Sequence, residues 1–233
     1  MKKERVFSYI ILILIVICVI VGFIVRRSFV DDTNFNDYKG KMDNYSIQYL
    51  GTRSYKQYFN CNIKNYNELE KDSTFILKVK LSGSREKLSS TTLSQVTVLD
   101  IYKGDSIKKG QKIYIYEPSF IENDMYWCSN GYNLMLNDTE YIVYLNSLKV
   151  PDGYNKTEKE KNSYMFTTLE FSKFDINNKN NVNNLYSVKD FDNGKIKYND
   201  LKNDNVVVVN KDILEKYTNI KKEVKKIYYT KNK

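Results

Sequence analysis

An uninterrupted apolar segment near the amino terminus constrains this chain more than any other feature. The segment, VFSYIILILIVICVIVGFIV, runs from Val6 to Val25, follows the charged residues MKKER and precedes two arginines. At about 1.5 Å per residue, a helix of this length spans roughly the 30 Å hydrocarbon layer of a bilayer. The sequence therefore predicts one transmembrane helix, in which Cys18 is an apolar, lipid-facing residue.

A cleaved signal peptide is the alternative interpretation of this segment. The apolar region of a signal peptide is about 7 to 15 residues long and ends at a pair of small residues, whereas this segment is longer and no such pair precedes Arg26. Lipid attachment at Cys18 would need a small residue just before it, and that residue is Ile17. We therefore expect an uncleaved membrane anchor.

The orientation of the helix follows from the positive charges on its two sides. Lys2, Lys3 and Arg5 precede it, and Arg26 and Arg27 follow it. A weak excess of positive charge before a first and single helix favours an amino terminus inside the cell. We expect a single-pass protein of the cell membrane, with its long carboxy-terminal region extracellular.

The chain contains no histidine, which removes the common nucleophilic triads, histidine-rich zinc sites and the usual general base near neutral pH. Glu117, Glu122 and Asp124 lie near one turn and could form an acid–base pair or a cation site, but solvated surface carboxylates are the simpler interpretation. We expect no catalytic residues, no bound metal and no cofactor. An enzyme is the least favoured class of function.

The formal net charge is +9; residues 1–27 carry five cations and one carboxylate, so the part after them keeps 9 − 4 = +5, a modest excess. An anionic wall polymer or lipid headgroups would attract such a surface, although solubility alone also explains it.

Short strand patterns dominate the middle of the chain. In FILKVKLSG, Phe75, Leu77, Val79 and Leu81 alternate with lysines, as in a strand with one buried face. Three further runs with strand character follow: LSQVTVLDIYKG, IKKGQKIYIYEP and EYIVYL. Glycine-bearing turns between short strands predict a mainly β fold, a small antiparallel barrel or sandwich.

The last third of the chain has a different character. It contains a strand candidate SYMFTTLEF, the low-complexity stretch INNKNNVNN and a short VVVV strand candidate. The final segment predicts a helix with Asn210 as its N-cap, because apolar residues recur at three- and four-residue steps: Ile213, Tyr217, Ile220, Val224 and Ile227. The lysines on its outer face could bind an anionic surface, although a solvated face is the simpler interpretation.

The order FILKVKLSG, VTVLDIYKG, GQKIYIYEPS, a cysteine, YNLML and EYIVYL resembles the netrin-like module, the OB-type barrel of tissue inhibitors of metalloproteinases. It is also similar to uncharacterised anchored or secreted proteins of Gram-positive bacteria. The resemblance covers residues 61–150. We accordingly divide the chain into an anchor (1–27), a stalk (28–60), an OB-like barrel (61–150) and a carboxy-terminal α/β extension ending in a helix (151–233).

The resemblance implies a disulfide between Cys61 and Cys128, since that family joins a cysteine before the first barrel strand to one ahead of the apolar segment. Unpaired thiols are the alternative. The inhibitory activity of the family does not transfer, because it requires a free amino group on an amino-terminal cysteine, and Cys61 is internal.

Aromatic residues near Cys128 suggest a binding face made of Trp127, Tyr126, Tyr114 and Tyr116. With 21 tyrosines in the chain, packing is a competing explanation for such neighbours. Two functions remain. The first is a noncatalytic module that binds an extracellular protein or peptide. The second is a module that binds an anionic polymer through lysine and aromatic residues, with nucleic acid the less expected polymer.

Overall fold

The computed structural model describes residues 2–28, 34–51, 57–175 and 184–228. It divides into two compact units, Met1–Thr33 and Asn34–Lys233. The first unit contains helix α1 (Lys2–Ser28), whose segment Phe7–Val25 is long and apolar enough to cross a membrane. The predicted apolar helix is therefore confirmed by length and composition.

The second unit is built on a closed five-stranded barrel, which confirms the predicted OB-like fold. The five strands are β2 (Phe75–Lys87), β3 (Thr92–Lys103), β4 (Lys112–Glu117), β7 (Glu140–Ser147) and β8 (Ser163–Phe166). Around the barrel they pair in the order β2-β3-β4-β8-β7, and β7 pairs back with β2. All pairs are antiparallel except β4 with β8, which is parallel. A short strand β9 (Lys173–Asp175) adds to the free side of β7.

The side chains of β2 alternate between the barrel interior and the outside of the barrel. Leu77, Val79 and Leu81 are buried in the barrel interior. Lys78 and Lys80 point outward, where Lys78 Nζ lies 2.8 Å from the Glu140 carboxylate. The alternation in the sequence predicted a strand that buries its apolar face in a core and exposes its charged face, and β2 has this arrangement.

A second sheet has three strands, β1 (Ser46–Leu50), β5 (Ser119–Glu122) and β6 (Met125–Ser129), in the order β1-β6-β5. A two-residue turn with positive φ at Asn123 and Asp124 joins β5 to β6. The sheet packs on two 3₁₀ turns, Phe35–Asp37 and Met42–Asn44, and on the short helices α4 (Val188–Asp192) and α5 (Tyr198–Leu201). Residues 34–50, predicted to be stalk, thus contribute buried side chains such as Phe35 and Ile47 to the folded unit.

The remaining helices are α2 (Tyr66–Asp72), α3 (Glu158–Lys161) and α6 (Lys211–Tyr228). In α6 the Asn210 side chain accepts a hydrogen bond of 2.7 Å from the Asp212 N–H, as expected for an N-cap. The predicted apolar face of α6 packs with α2 against the outside of the barrel. This packing satisfies the amphipathic pattern of the helix.

One further boundary and one strand differ from the sequence-based prediction. The fifth barrel strand, Ser163–Phe166, lies after residue 150, because a long loop and α3 separate it from β7. The VVVV segment forms isolated bridges at Val206 and Val208 rather than a regular strand. The low-complexity stretch INNKNNVNN lies almost entirely outside the described residues.

The structure does not support the Cys61–Cys128 disulfide: the three cysteines of the chain form no disulfide with one another. The Cys61 thiol donates to the Phe59 carbonyl at 3.7 Å, and the buried Cys128 thiol donates to the Tyr132 carbonyl at 3.3 Å. The physical reason is topological. Cys128 lies on the inner face of the three-stranded sheet, whereas Cys61 precedes α2 on the outside of the barrel.

Candidate functional site

A groove of about 500 Å³ on the barrel surface is the best candidate for a binding site. In OB-folds, ligands bind over strands 2 and 3 and between the loops that join strands 1–2 and 4–5. Here the corresponding loops follow β2 and β7, and both reach the groove beside β4. The groove is lined by Tyr58, Phe59, Ser90, Thr91, Tyr116, Pro118, Leu148, Lys149 and Met165.

The chemistry of the groove is mainly apolar. The aromatic rings of Tyr58, Phe59 and Tyr116 and the side chains of Leu148 and Met165 form most of its surface. Lys149 is the one charged residue among the described residues of the lining. Tyr58 is 49% exposed. A few polar groups on a largely apolar concave surface are typical of sites that bind organic ligands or peptide side chains.

The structure separates the four aromatic residues of the predicted binding face. Tyr114 and Tyr116 lie on the outer face of β4, and Tyr116 contributes to the groove. Trp127 lies half-buried on the other sheet, stacked on Phe120 with ring centroids 5.7 Å apart. Tyr126 is fully buried, and its hydroxyl donates to the Asn133 side chain at 2.8 Å. Tyr126 is therefore a core residue and no part of a binding surface.

The interior of the barrel contains an ionic network centred on Glu117, whose side chain is completely buried. Its Oε1 accepts hydrogen bonds from Arg85 Nη2 at 3.1 Å and from the Ser94 hydroxyl. Its Oε2 accepts from the Tyr132 hydroxyl and from the Met135 N–H, both at 2.7 Å. Burial alone would raise the pKa of Glu117, but the charge of Arg85 and these donors hold it below the ordinary value.

Lys173 on β9 lies beside this network and is also buried. Its Nζ donates to the Asn133 carbonyl and lies 4.6 Å from the centre of the Tyr132 ring. Burial lowers the pKa of Lys173 to about 7, with the nearby Glu117 carboxylate acting in the opposite direction. Because every oxygen of Glu117 is occupied by an internal donor, this network holds the barrel together and offers no vacant base to a substrate.

The segment after β6 supplies several partners of this network. Asn130 and Gly131 both have positive φ, and the Tyr132 N–H donates to the Ser129 carbonyl at 2.9 Å across the turn. The turn directs Tyr132 and Met135 into the barrel core. The YNLML run is therefore a plug of the barrel through Tyr132 and Met135, while its Leu134 packs in the core beneath the three-stranded sheet.

Sequence reasoning placed Glu117 on the surface and missed the network. The signal was present in β4, because Ile113, Ile115 and Glu117 are spaced by two and share the buried face of the strand. Nothing in the sequence near Arg85 or Lys173 identifies them as its neighbours, since both are distant along the chain.

The fold and the groove define this protein as an OB-like barrel protein with one amino-terminal helix capable of crossing a membrane. No protein-family model matches the chain, and no curated protein matches it.

Proposed function

We propose that the protein is a membrane-anchored, noncatalytic module that binds an extracellular protein or peptide in the barrel groove. The observation that carries this proposal is the position of the groove: it occupies the surface that OB-folds use for ligands, and its lining is aromatic and aliphatic. The netrin-like resemblance of residues 61–150 supports the same class of function, as does the absence of histidine from the chain.

The lining of the groove specifies the chemistry of the partner. An extended segment with an aliphatic or aromatic side chain would cover Tyr58, Tyr116 and Leu148, and an acidic neighbour would pair with Lys149. Among the described residues of the lining only Lys149 is cationic and most of the surface is apolar, so the groove favours a peptide over an anionic polymer.

The location of the module is part of the proposal. The helix Phe7–Val25 would remain as an uncleaved anchor, and the weak excess of positive charge before it would place the second unit outside the cell.

Photo-cross-linking on intact cells tests the proposal. A photoreactive phenylalanine analogue would replace Tyr58 in the full-length chain, and Val188 would be replaced in a matched control. Val188 is 42% exposed against 49% for Tyr58, belongs to a helix that packs on the three-stranded sheet, and does not line the groove. We expect the same defined proteins to be captured from position 58 at low and high salt, and not from position 188, because apolar contacts are little screened by salt.

Three outcomes would contradict the proposal. Equal capture from both positions would show that the groove has no special role. Capture from position 58 of heterogeneous polymer that is lost at high salt would identify a polyanion, and not a peptide, as the ligand of the groove. Capture of cytosolic proteins alone would refute the extracellular orientation.

A further inference from the structure

A second cavity of about 580 Å³ lies between the two 3₁₀ turns, β2, the segment after Met135 and α5. We call it the polar pocket. It differs from the groove in chemistry: four cationic and two anionic side chains line it, namely Lys39, Lys80, Arg85, Lys202, Asp43 and Asp138. Cations therefore outnumber carboxylates by two to one on its walls.

Arg85 is held rigidly at this pocket. Its Nε donates to the Ser94 hydroxyl at 3.0 Å, and its Nη2 donates to Glu117 and to the Met135 carbonyl. The Phe35 ring covers the guanidinium, with its centre 5.2 Å from Cζ. These contacts use Nε and Nη2 and leave the two N–H groups of Nη1. A guanidinium fixed in this way presents its remaining donors without a large loss of side-chain entropy.

Two other cations at the pocket are held only by partly exposed ion pairs. Lys80 pairs with Asp138 and Lys202 pairs with Asp43, each at 3.0 Å, and both pairs are partly exposed. Exposed ion pairs contribute little to stability, so a ligand with a stronger charge can replace the carboxylates. Lys39 is exposed and forms no ion pair within the part of the chain that the structure describes.

We propose that the polar pocket binds a phosphate group. One phosphate oxygen accepts from Arg85 Nη1 and another accepts from Lys39 Nζ, while Lys80 and Lys202 turn from their carboxylates towards the same charge. Arginine and lysine together are the usual protein donors for phosphate. The cavity is larger than a phosphate alone requires, and it leaves room for an attached polyol or sugar near the amides of Asn36 and Asn137.

This site is independent of the groove, since the two cavities share no lining residue. Its ligand has the chemistry of a phosphate ester, which can come from a soluble molecule or from the headgroup of a phospholipid.

Calorimetric titration of the full-length chain in a neutral detergent tests the site. The probes are glycerol 3-phosphate, short-chain phosphatidylglycerol and, as an uncharged comparison, glycerol. We expect saturable binding of a phosphate probe with a Kd of about 1 mM or lower, and none of glycerol. Saturation by glycerol 3-phosphate would identify a soluble ester as sufficient, whereas saturation only by phosphatidylglycerol would identify the headgroup source.

Matched variants locate the binding. Lys39→Gln should weaken binding about tenfold, the loss expected for one charge-assisted hydrogen bond. Lys112→Gln changes a lysine on β4 that is also exposed but does not line the pocket, and it should leave binding unchanged. Asp138→Asn should tighten binding about threefold, because it releases Lys80 and removes a repelling carboxylate. No saturation by either phosphate probe, or the same affinity in Lys39→Gln and Lys112→Gln, would overturn the proposal.

Discussion

Replacing Glu117 by Gln should strongly destabilise the barrel although the two side chains have nearly the same shape. All four partners of the carboxylate are donors: Arg85 and Ser94 at Oε1, and Tyr132 and Met135 at Oε2. A glutamine offers one oxygen and one NH2 group. In either orientation its NH2 faces an N–H that cannot turn to accept, that of Arg85 on one side or that of Met135 on the other.

The size of the effect follows from burial. Glu117 is 0% exposed and the Arg85 side chain only 11% exposed, so the variant leaves a nearly buried guanidinium without its carboxylate. Removing one partner of a buried ion pair costs about 3–5 kcal/mol of unfolding free energy. Total stabilities are about 5–15 kcal/mol, so the variant should lose a large part of the stability of the second unit.

Urea unfolding of the full-length chain in mild detergent measures this loss. Trp127 is the only tryptophan and stacks on Phe120, so its fluorescence reports unfolding of the second unit. Glu122→Gln is the control, since Glu122 is exposed and its replacement should change stability by less than about 0.5 kcal/mol. If Glu117→Gln unfolds within about 1 kcal/mol of the unmodified chain, the buried network does not have the role assigned to it here.

Three further predictions concern Lys173, Gly131 and the two cysteines of the second unit. The pKa of Lys173 is about 7 in the folded state and about 10.4 when the side chain is exposed, so the folded state binds fewer protons than the unfolded state between these pH values. The free energy of unfolding should therefore rise with pH above about 7, by up to about 1.4 kcal/mol per pH unit. Urea midpoints measured across this pH range should show the rise in the unmodified chain and not in Lys173→Met. Gly131→Ala should destabilise by about 2 kcal/mol or more, because φ is +84° and a Cβ would collide with the Val207 carbonyl; a variant as stable as the original would contradict this close approach. Thiol labelling of the denatured, unreduced chain should modify both Cys61 and Cys128. If both cysteines are labelled only after reduction, the chain contains the disulfide and this prediction is wrong.

The parts of the fold that the sequence predicted are those with a local signal. Alternation of Leu77 and Val79 with lysines identified β2, and apolar residues at helical spacing identified α6. The strand β8 was itself predicted within SYMFTTLEF, but its place in the barrel was not, because four consecutive buried residues, Ser163–Phe166, carry no alternation that would assign them to a sheet. The packing of Phe35 and Ile47 was missed for the same reason, since isolated apolar residues in an Asn-rich segment indicate neither a strand nor a core.

The candidate sites were harder to predict than the fold. The aromatic composition of the segment led us to place Tyr126 and Tyr116 on one predicted binding face. In the structure Tyr116 lies on the barrel and Tyr126 on the three-stranded sheet. The groove joins Tyr58, Tyr116 and Leu148, which are far apart in sequence. Only the closure of the barrel brings such residues together, so composition and spacing alone could not assemble either the groove or the Glu117 network.

The plug also explains why the second unit should fold as one piece rather than as a barrel with appendages. Tyr132 fills the barrel core, while Cys128 belongs to the core beneath the three-stranded sheet. Between them the Gly131 carbonyl accepts from the Val207 N–H at 2.7 Å, in the segment that leads to α6. Asn133 donates to the Leu201 carbonyl at 2.8 Å and so connects α5 to the same turn. A chain cut at residue 150 would lose β8 and both of these contacts, leaving buried N–H and C=O groups without partners, and such losses are costly in a core.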